Sequence, residues 1–322
     1  MNKKILALAV GSALAMPMMA QAKVVVYGHA QVEIGTTDNG TTDEVFTRDQ
    51  SRGRFGIKAS EKLGNGMTAI AKFEFKLDTA DGESGDAGGN VLTSRESLVG
   101  LKGSFGTVEL GTLKQPYKYM GGVTYDPFVA TNLEARTNGG QTGGKFGHKG
   151  FLSNSIAWKS NNFNGISIWA LISIDEDATT TTTNTVQASD GDYSIGVKYN
   201  NGPLEVGIVG TNDDSSNTEK TKLFGQYKLG NHKFSGSYEM QEVGTVDTDV
   251  WFFGYQLRSG NNTFVAQLGN TDPDGTGETD YYAIGMIHHL SKKTRLFGGF
   301  RNTDAGTGGE TDIISVGLRM IF

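Results

Sequence analysis

Residues 272–280, DPDGTGETD, set carboxylates at alternating positions around Gly275. Oxygen-rich loops of that kind hold calcium when helices flank them and a glutamate closes the twelfth position. Here the flanks read as strands and that glutamate is absent, so the stretch reads as a solvated acidic loop. Residues 304–312, DAGTGGETD, nearly repeat it, which pairs the two as related surface loops. His288 and His289 are neighbours at a strand end, and strand neighbours point to opposite faces, so they do not grip one metal. With no cysteine anywhere, a thiolate nucleophile, a disulfide scaffold and a zinc–thiolate site are all excluded. Ser, His and Asp are plentiful, but no nucleophile motif is present. No metal and no cofactor are expected. What remains is fixed charge, and it falls on one parity of strand-like segments: Arg54, Lys58, Lys72, Glu74, Lys198, Glu239 and Arg301. That many charges are too costly to bury unpaired, so this face needs water.

The elements that carry these charges have a period of two. SRGRFGIKASE sets Arg54, Lys58 and Ser60 against Phe55, Ile57 and Ala59. MTAIAKFEFKLD sets Lys72, Glu74 and Lys76 against Ala71, Phe73, Phe75 and Leu77. The last residues, VGLRMIF, set Val316, Leu318, Met320 and Phe322 against Arg319. Sixteen such segments follow one another, and helical spacing is hard to find. Glycine, at 46 of 322 residues, is about twice as frequent as the usual ~7%. Proline, at 5, is too scarce for a disordered Pro/Gly tract. The class is all-β.

Connections between segments alternate between short and long. Short Gly/Asn/Ser-rich turns such as EKLGNG, NNFNG and RSGNN suit hairpins. The long, polar ones are 36–50, 79–93, 114–152, 175–190, 212–219, 242–247, 270–279 and 302–311. Short turns at one end and long loops at the other are the habit of outer-membrane barrels. An even number of antiparallel strands closes on itself and leaves no unpaired edge in lipid. The expected fold is therefore a sixteen-stranded antiparallel transmembrane β-barrel, with the apolar parity toward lipid and the charged parity toward a wet lumen. Residues 1–22 read as a signal peptide: Lys3 and Lys4, a short apolar run, then Ala20-Gln21-Ala22. Residues 23–322 then form the barrel domain. The chain carries a net charge of −6, more acidic still without Lys3 and Lys4, which argues against nucleic acid as a partner.

Taken together, VVVYGHAQVEIG, SRGRFGIKASEKLGNGMTAIAKFEF, SLVGLKGSFGTVELG, SIAWKSNNFNGISIWA and VGLRMIF resemble a general Gram-negative porin of the trimeric, sixteen-stranded kind. The resemblance covers the whole of 23–322. It implies passive diffusion of small hydrophilic solutes and ions across the outer membrane, without enzymatic activity. It implies a homotrimer in contact with lipid and lipopolysaccharide. Phe322 resembles the terminal aromatic by which the barrel-assembly machinery recognises its clients. The third long loop, 114–152, is expected to fold inward and narrow the pore, with Asp126 and Glu134 facing Arg54 and Lys114 on the wall and His29 nearby. Two arginines common in the family are absent. After VELG stands Thr112, with Lys114 two residues on, and ahead of NSIAWK only His148 and Lys149 substitute. Fewer wall arginines would let the loop carboxylates dominate and give a weak cation preference. Two other readings of the barrel stay open: a barrel hydrolase, which needs a nucleophile and base in hydrogen-bond reach, and a plugged adhesive or structural barrel.

Overall fold

The computed structural model describes residues 22–49, 53–80, 92–141, 150–174, 191–213 and 217–322. Residues 1–21 of the expected signal peptide, residues 81–91 of the loop after Leu77, residues 175–190 and the two candidate substitutes His148 and Lys149 lie outside the described residues.

In chain order the strands are β1 (Lys23–Asp38), β2 (Asp43–Arg48), β3 (Gly53–Gly64), β4 (Met67–Leu77), β5 (Leu92–Gly103), β6 (Gly106–Lys114), β7 (Phe151–Lys159), β8 (Ile166–Ser173) and β9 (Tyr193–Asn201). They continue with β10 (Leu204–Asp213), β11 (Thr218–Leu229), β12 (His232–Val243), β13 (Val246–Ser259), β14 (Asn262–Pro273), β15 (Thr279–His289), β16 (Thr294–Asp304) and β17 (Glu310–Ile321). β1 and β2 pair antiparallel, as do consecutive strands from β3 onward, and β17 pairs with β1, from His29 opposite Ile321 to Asp38 opposite Asp312. The sheet closes. On its other side β1 pairs with β2 over Glu33–Asp38 and with β3 over Lys23–His29, so β2 and β3 share one position in the wall. Seventeen strand segments thus make sixteen staves.

Residue type fixes which face is outside. On β13, Trp251 and Phe253 are 41% and 43% exposed, whereas their neighbours Val250 and Phe252 are 0% and 2% exposed. On β17, Val316, Leu318 and Met320 are exposed and Arg319 is buried. An apolar outer surface of this kind is stable only against lipid, where an unpaired backbone group would cost several kcal/mol; the described strands close into one ladder with no open sheet edge.

One expectation about the loops needs correction. The connection expected over 242–247 is a two-residue turn, because β12 runs to Val243 and β13 starts at Val246, with Gly244 at φ 66°. Likewise, most of 36–50 is strand, in the end of β1 and in β2. These stretches carry polar residues on both parities and so read as loop. Antiparallel backbone pairing needs no apolar side chain, and the ladder continues beyond the lipid-facing band.

Candidate pore constriction

Between β6 and β7 the chain turns toward the charged parity. Residues 115–141 form a short helix, α1 (Pro116–Tyr119), with Pro at its first turn, then a 3-10 turn over Gly122–Thr124 and a series of tight turns. Gly121 and Gly122 have φ 84° and 58°, and a Cβ on either would fall against Phe224 or the Lys222 ammonium. Only glycine lets the chain lie that close to the wall.

The segment is fastened to inward-facing side chains of β10–β17 and β1. Tyr117 donates to Glu239 (2.8 Å) and Tyr125 to Glu205 (2.8 Å). Lys222 donates to the Tyr117 carbonyl (3.0 Å), Tyr281 to that of Leu133 (2.7 Å) and Arg301 to that of Asn132 (2.9 Å). Asn132 donates its backbone and side-chain N–H groups to Glu33 (3.0 and 2.9 Å). Arg319 donates to the carbonyls of Val129 (3.2 Å) and Ala130 (3.0 Å) and to the Gln31 side chain (2.5 Å). Phe128, Leu133, Phe224, Phe252, Tyr281 and Phe297 add a buried apolar cluster between segment and wall.

A cavity of about 350 Å³ lies on the opposite side of the segment. Its wall side is His29, Arg54, Glu74, Arg95 and Lys114; its loop side includes Lys118, Tyr119, Ala130 and Arg136. Arg95 spans the gap, with Nε 3.2 Å from Glu74, Nη2 3.4 Å from the Tyr119 hydroxyl and its guanidinium 4.5 Å from the Phe151 ring centre. Arg54 Nε stands 4.0 Å from the same Glu74, and Lys114 lies 3.2 Å from Glu96. Among the described residues, five basic side chains and one acidic side chain therefore line this cavity.

Of the residues expected here, Arg54, Lys114 and His29 line the cavity and Asp126 and Glu134 do not. Both acids are buried, at 2% and 3% exposure. Asp126 accepts from the N–H of Phe128 and Ala135 and from Gln267, each at 2.8 Å. Glu134 accepts from the N–H of Ala130 (2.7 Å) and from Arg136 (3.0 Å). A tightly turned segment exposes many backbone N–H groups, and these carboxylates satisfy them. They fold the loop rather than charge the gap, and the cation preference inferred from them loses its basis.

Arg95 is missed by parity alone, which turns it toward lipid with Ser97 and Val99. The register shifts between Glu74 and Phe75: Glu74 pairs with Glu96, and Phe75 with Ser94. Arg95 is the extra residue of a β-bulge, and bulges re-aim side chains. The available signal was the cost of an arginine on a lipid-facing parity. Lys114 ends β6 just past a second register shift, between Gly111 and Leu113, where the chain leaves the wall.

Burial, followed by the nearby Glu134, pushes the Asp126 carboxyl up to about 7. A carboxyl that releases its proton later in the folded loop than in an unfastened one favours the seated loop at low pH. That advantage fades as pH rises from about 4, the ordinary aspartate range, and is gone above about 7. Single-channel recordings should thus show a quiet open level near pH 4 and more loop flicker at pH 7.5. Asp126→Asn keeps the Gln267 side of the site uncharged and should flatten this dependence.

A closed antiparallel barrel with an apolar outer band and a charged, wet inner face is a pore-forming outer-membrane protein. The family model for Gram-negative porins matches residues 7–308, and the chain belongs to that family. It is 26% identical, over 95% of its length and 92% of the relative's, to outer membrane porin protein 32 of Delftia acidovorans. Its fold superposes on an anion-selective porin from Comamonas acidovorans with a TM-score of 0.76 at 22% identity, covering 94% of this chain and all of that one. The trimer form of OmpT of Vibrio cholerae gives 0.70 at 14% identity, covering 94% and 99%. The protein is an outer-membrane channel through which small hydrophilic solutes and ions diffuse passively.

Proposed function

We propose that the channel selects for anions at the cavity between 115–141 and the β1–β6 wall. The observation that carries this is the lining: among the described residues, the side chains of Arg54, Arg95, Lys114, Lys118 and Arg136 against that of Glu74, with Glu96 behind Lys114 and Glu134 behind Arg136. Rings of fixed charge set ion preference in narrow pores. An anion in the gap meets arginine forks, whose weak hydration and planar donors suit carboxylate and phosphate. The fold the channel shares with the anion-selective porin from Comamonas acidovorans supports this reading. The test is a planar-bilayer recording across a KCl gradient: the reversal potential should take the sign of chloride permeation, and potassium's sign would refute it.

The channel works as a homotrimer by this reading, supported by the trimer described for the Vibrio relative, and it is not an enzyme. Its outer band meets membrane lipid and lipopolysaccharide. Phe322 ends the closing seam, with its N–H donating to the Gly28 carbonyl (3.0 Å) and its carbonyl accepting from the Gly28 N–H (3.2 Å). The assembly machinery is taken to read that terminal aromatic.

A further inference from the structure

A second cavity, of about 610 Å³, opens on the same inner wall nearer the short-turn end. It shares Lys114 with the first. Its cations are all lysines: Lys23, Lys58, Lys72, Lys114 and Lys159. They face two carboxylates. Lys72 and Lys114 both pair with Glu96, and Lys159 lies 2.6 Å from Glu109. Positive charge is therefore in surplus.

The floor between these lysines is apolar, which a simple charged funnel does not require. Val25, Ile70 and Leu98 line it. Ile70 and Leu98 belong to an apolar cluster with Leu113, Leu152, Ala157 and Leu171, all inside the barrel. Trp169 packs on that cluster and carries the Lys159 ammonium 4.4 Å from its ring centre. Ligand sites commonly have this composition, an apolar body with a few placed charges, and this volume.

We propose that this cavity is a subsite for monocarboxylates bearing an apolar chain or ring, lying next to the constriction on the solute path. The carboxylate sits among the lysines while its chain covers Val25, Ile70 and Leu98. Lysine ammoniums on flexible stems attract the anion without fixing one geometry, so the occupant is held and released rather than trapped. The inference rests on the anion-channel reading, because the solute reaches the site through Lys114.

The test measures chloride current through single channels in planar bilayers, with hexanoate, acetate or hexylammonium added at constant ionic strength. Protein-free bilayers correct for hexanoate partitioning. Hexanoate should reduce the current at concentrations about tenfold below acetate, as expected when part of its four extra methylenes is buried. Hexylammonium should not reduce it. Val25→Thr with Ile70→Thr, which keep β-branched shapes, should bring hexanoate to the acetate level. Lys58→Gln with Lys159→Gln should raise the blocking concentration of both acids by about tenfold, a change of about 1.4 kcal/mol. Chloride current in every variant reports that the barrel has formed. Equal block by hexanoate and acetate in the unaltered channel overturns the proposal, and so does block by hexylammonium. A cation-selective reversal potential would instead overturn the anion-channel reading on its own.

Discussion

Replacing Arg54 and Arg95 together by glutamine should lower the anion-to-cation permeability ratio by about tenfold, the equivalent of about 1.4 kcal/mol. The two guanidiniums flank Glu74 from opposite sides, at 4.0 and 3.2 Å, and supply two of the five cations at the passage. Without them, Lys114, Lys118 and Arg136 face Glu74. Adding K118E makes the lining two against two, and the ratio should approach unity. Lys72, 3.4 Å from Glu74, keeps that carboxylate paired, so the wall is not left with an isolated buried charge. The effect has a salt signature. At 0.1 M the screening length, about 10 Å, exceeds these separations, and at 1 M it is about 3 Å. The variant and parent ratios should therefore converge in molar KCl. A ratio unchanged by the double substitution at 0.1 M would place the narrowest charge filter elsewhere in the lumen.

How much of this was legible in the sequence depends on whether parity held. Where it held, the reading was direct: Arg54, Lys58, Lys72 and Glu74 face inward, and Val316, Leu318 and Met320 face out, as their alternation required. Closure of the last strand on the first followed from the same pattern. Parity misled at the bulge, where Arg95 and Glu96 both reach the inner face. It also hid the wall that holds the loop. Phe224, Phe252, Phe297 and Val265 face inward yet are apolar, because they pack against 115–141 rather than against water. Doubly apolar runs such as Val250 to Phe253 were the visible trace, since one face touches lipid and the other touches the loop. Asp126 and Glu134 failed for a different reason. Residue type shows a carboxylate but not whether its partner is a solute or a backbone N–H, and that depends on turns whose geometry no short pattern specifies.

The largest effect on the open state should come from the seam. Arg319 of β17 stands opposite Gln31 of β1, and together they hold the carbonyl of Ala130; Arg319 also holds that of Val129. Glu33 of β1 receives Asn132, and Ser315 of β17 donates to Glu33 at 3.2 Å. This stretch of the loop is seated by the first and last strands meeting, so its seat is completed only when the barrel closes. Ala130 adds a load, with φ at 67°, a conformation that costs a side-chain-bearing residue about 1–2 kcal/mol. Hydrogen bonds from a charged donor contribute about 1.5–3 kcal/mol each, which outweighs that strain while Arg319 is present. Arg319→Gln should release 129–132 from the wall. Single channels should then show a higher and flickering conductance, with weaker anion preference as Arg136 and Lys118 lose their fixed positions. Arg319→Lys keeps the charge but not the fork, and should flicker less than the glutamine variant. Ala130→Gly, added to Arg319→Lys, removes the strain and should restore much of the quiet state. A steady parental conductance in Arg319→Gln would show that Asn132, Tyr281 and Arg301 seat the loop without the seam.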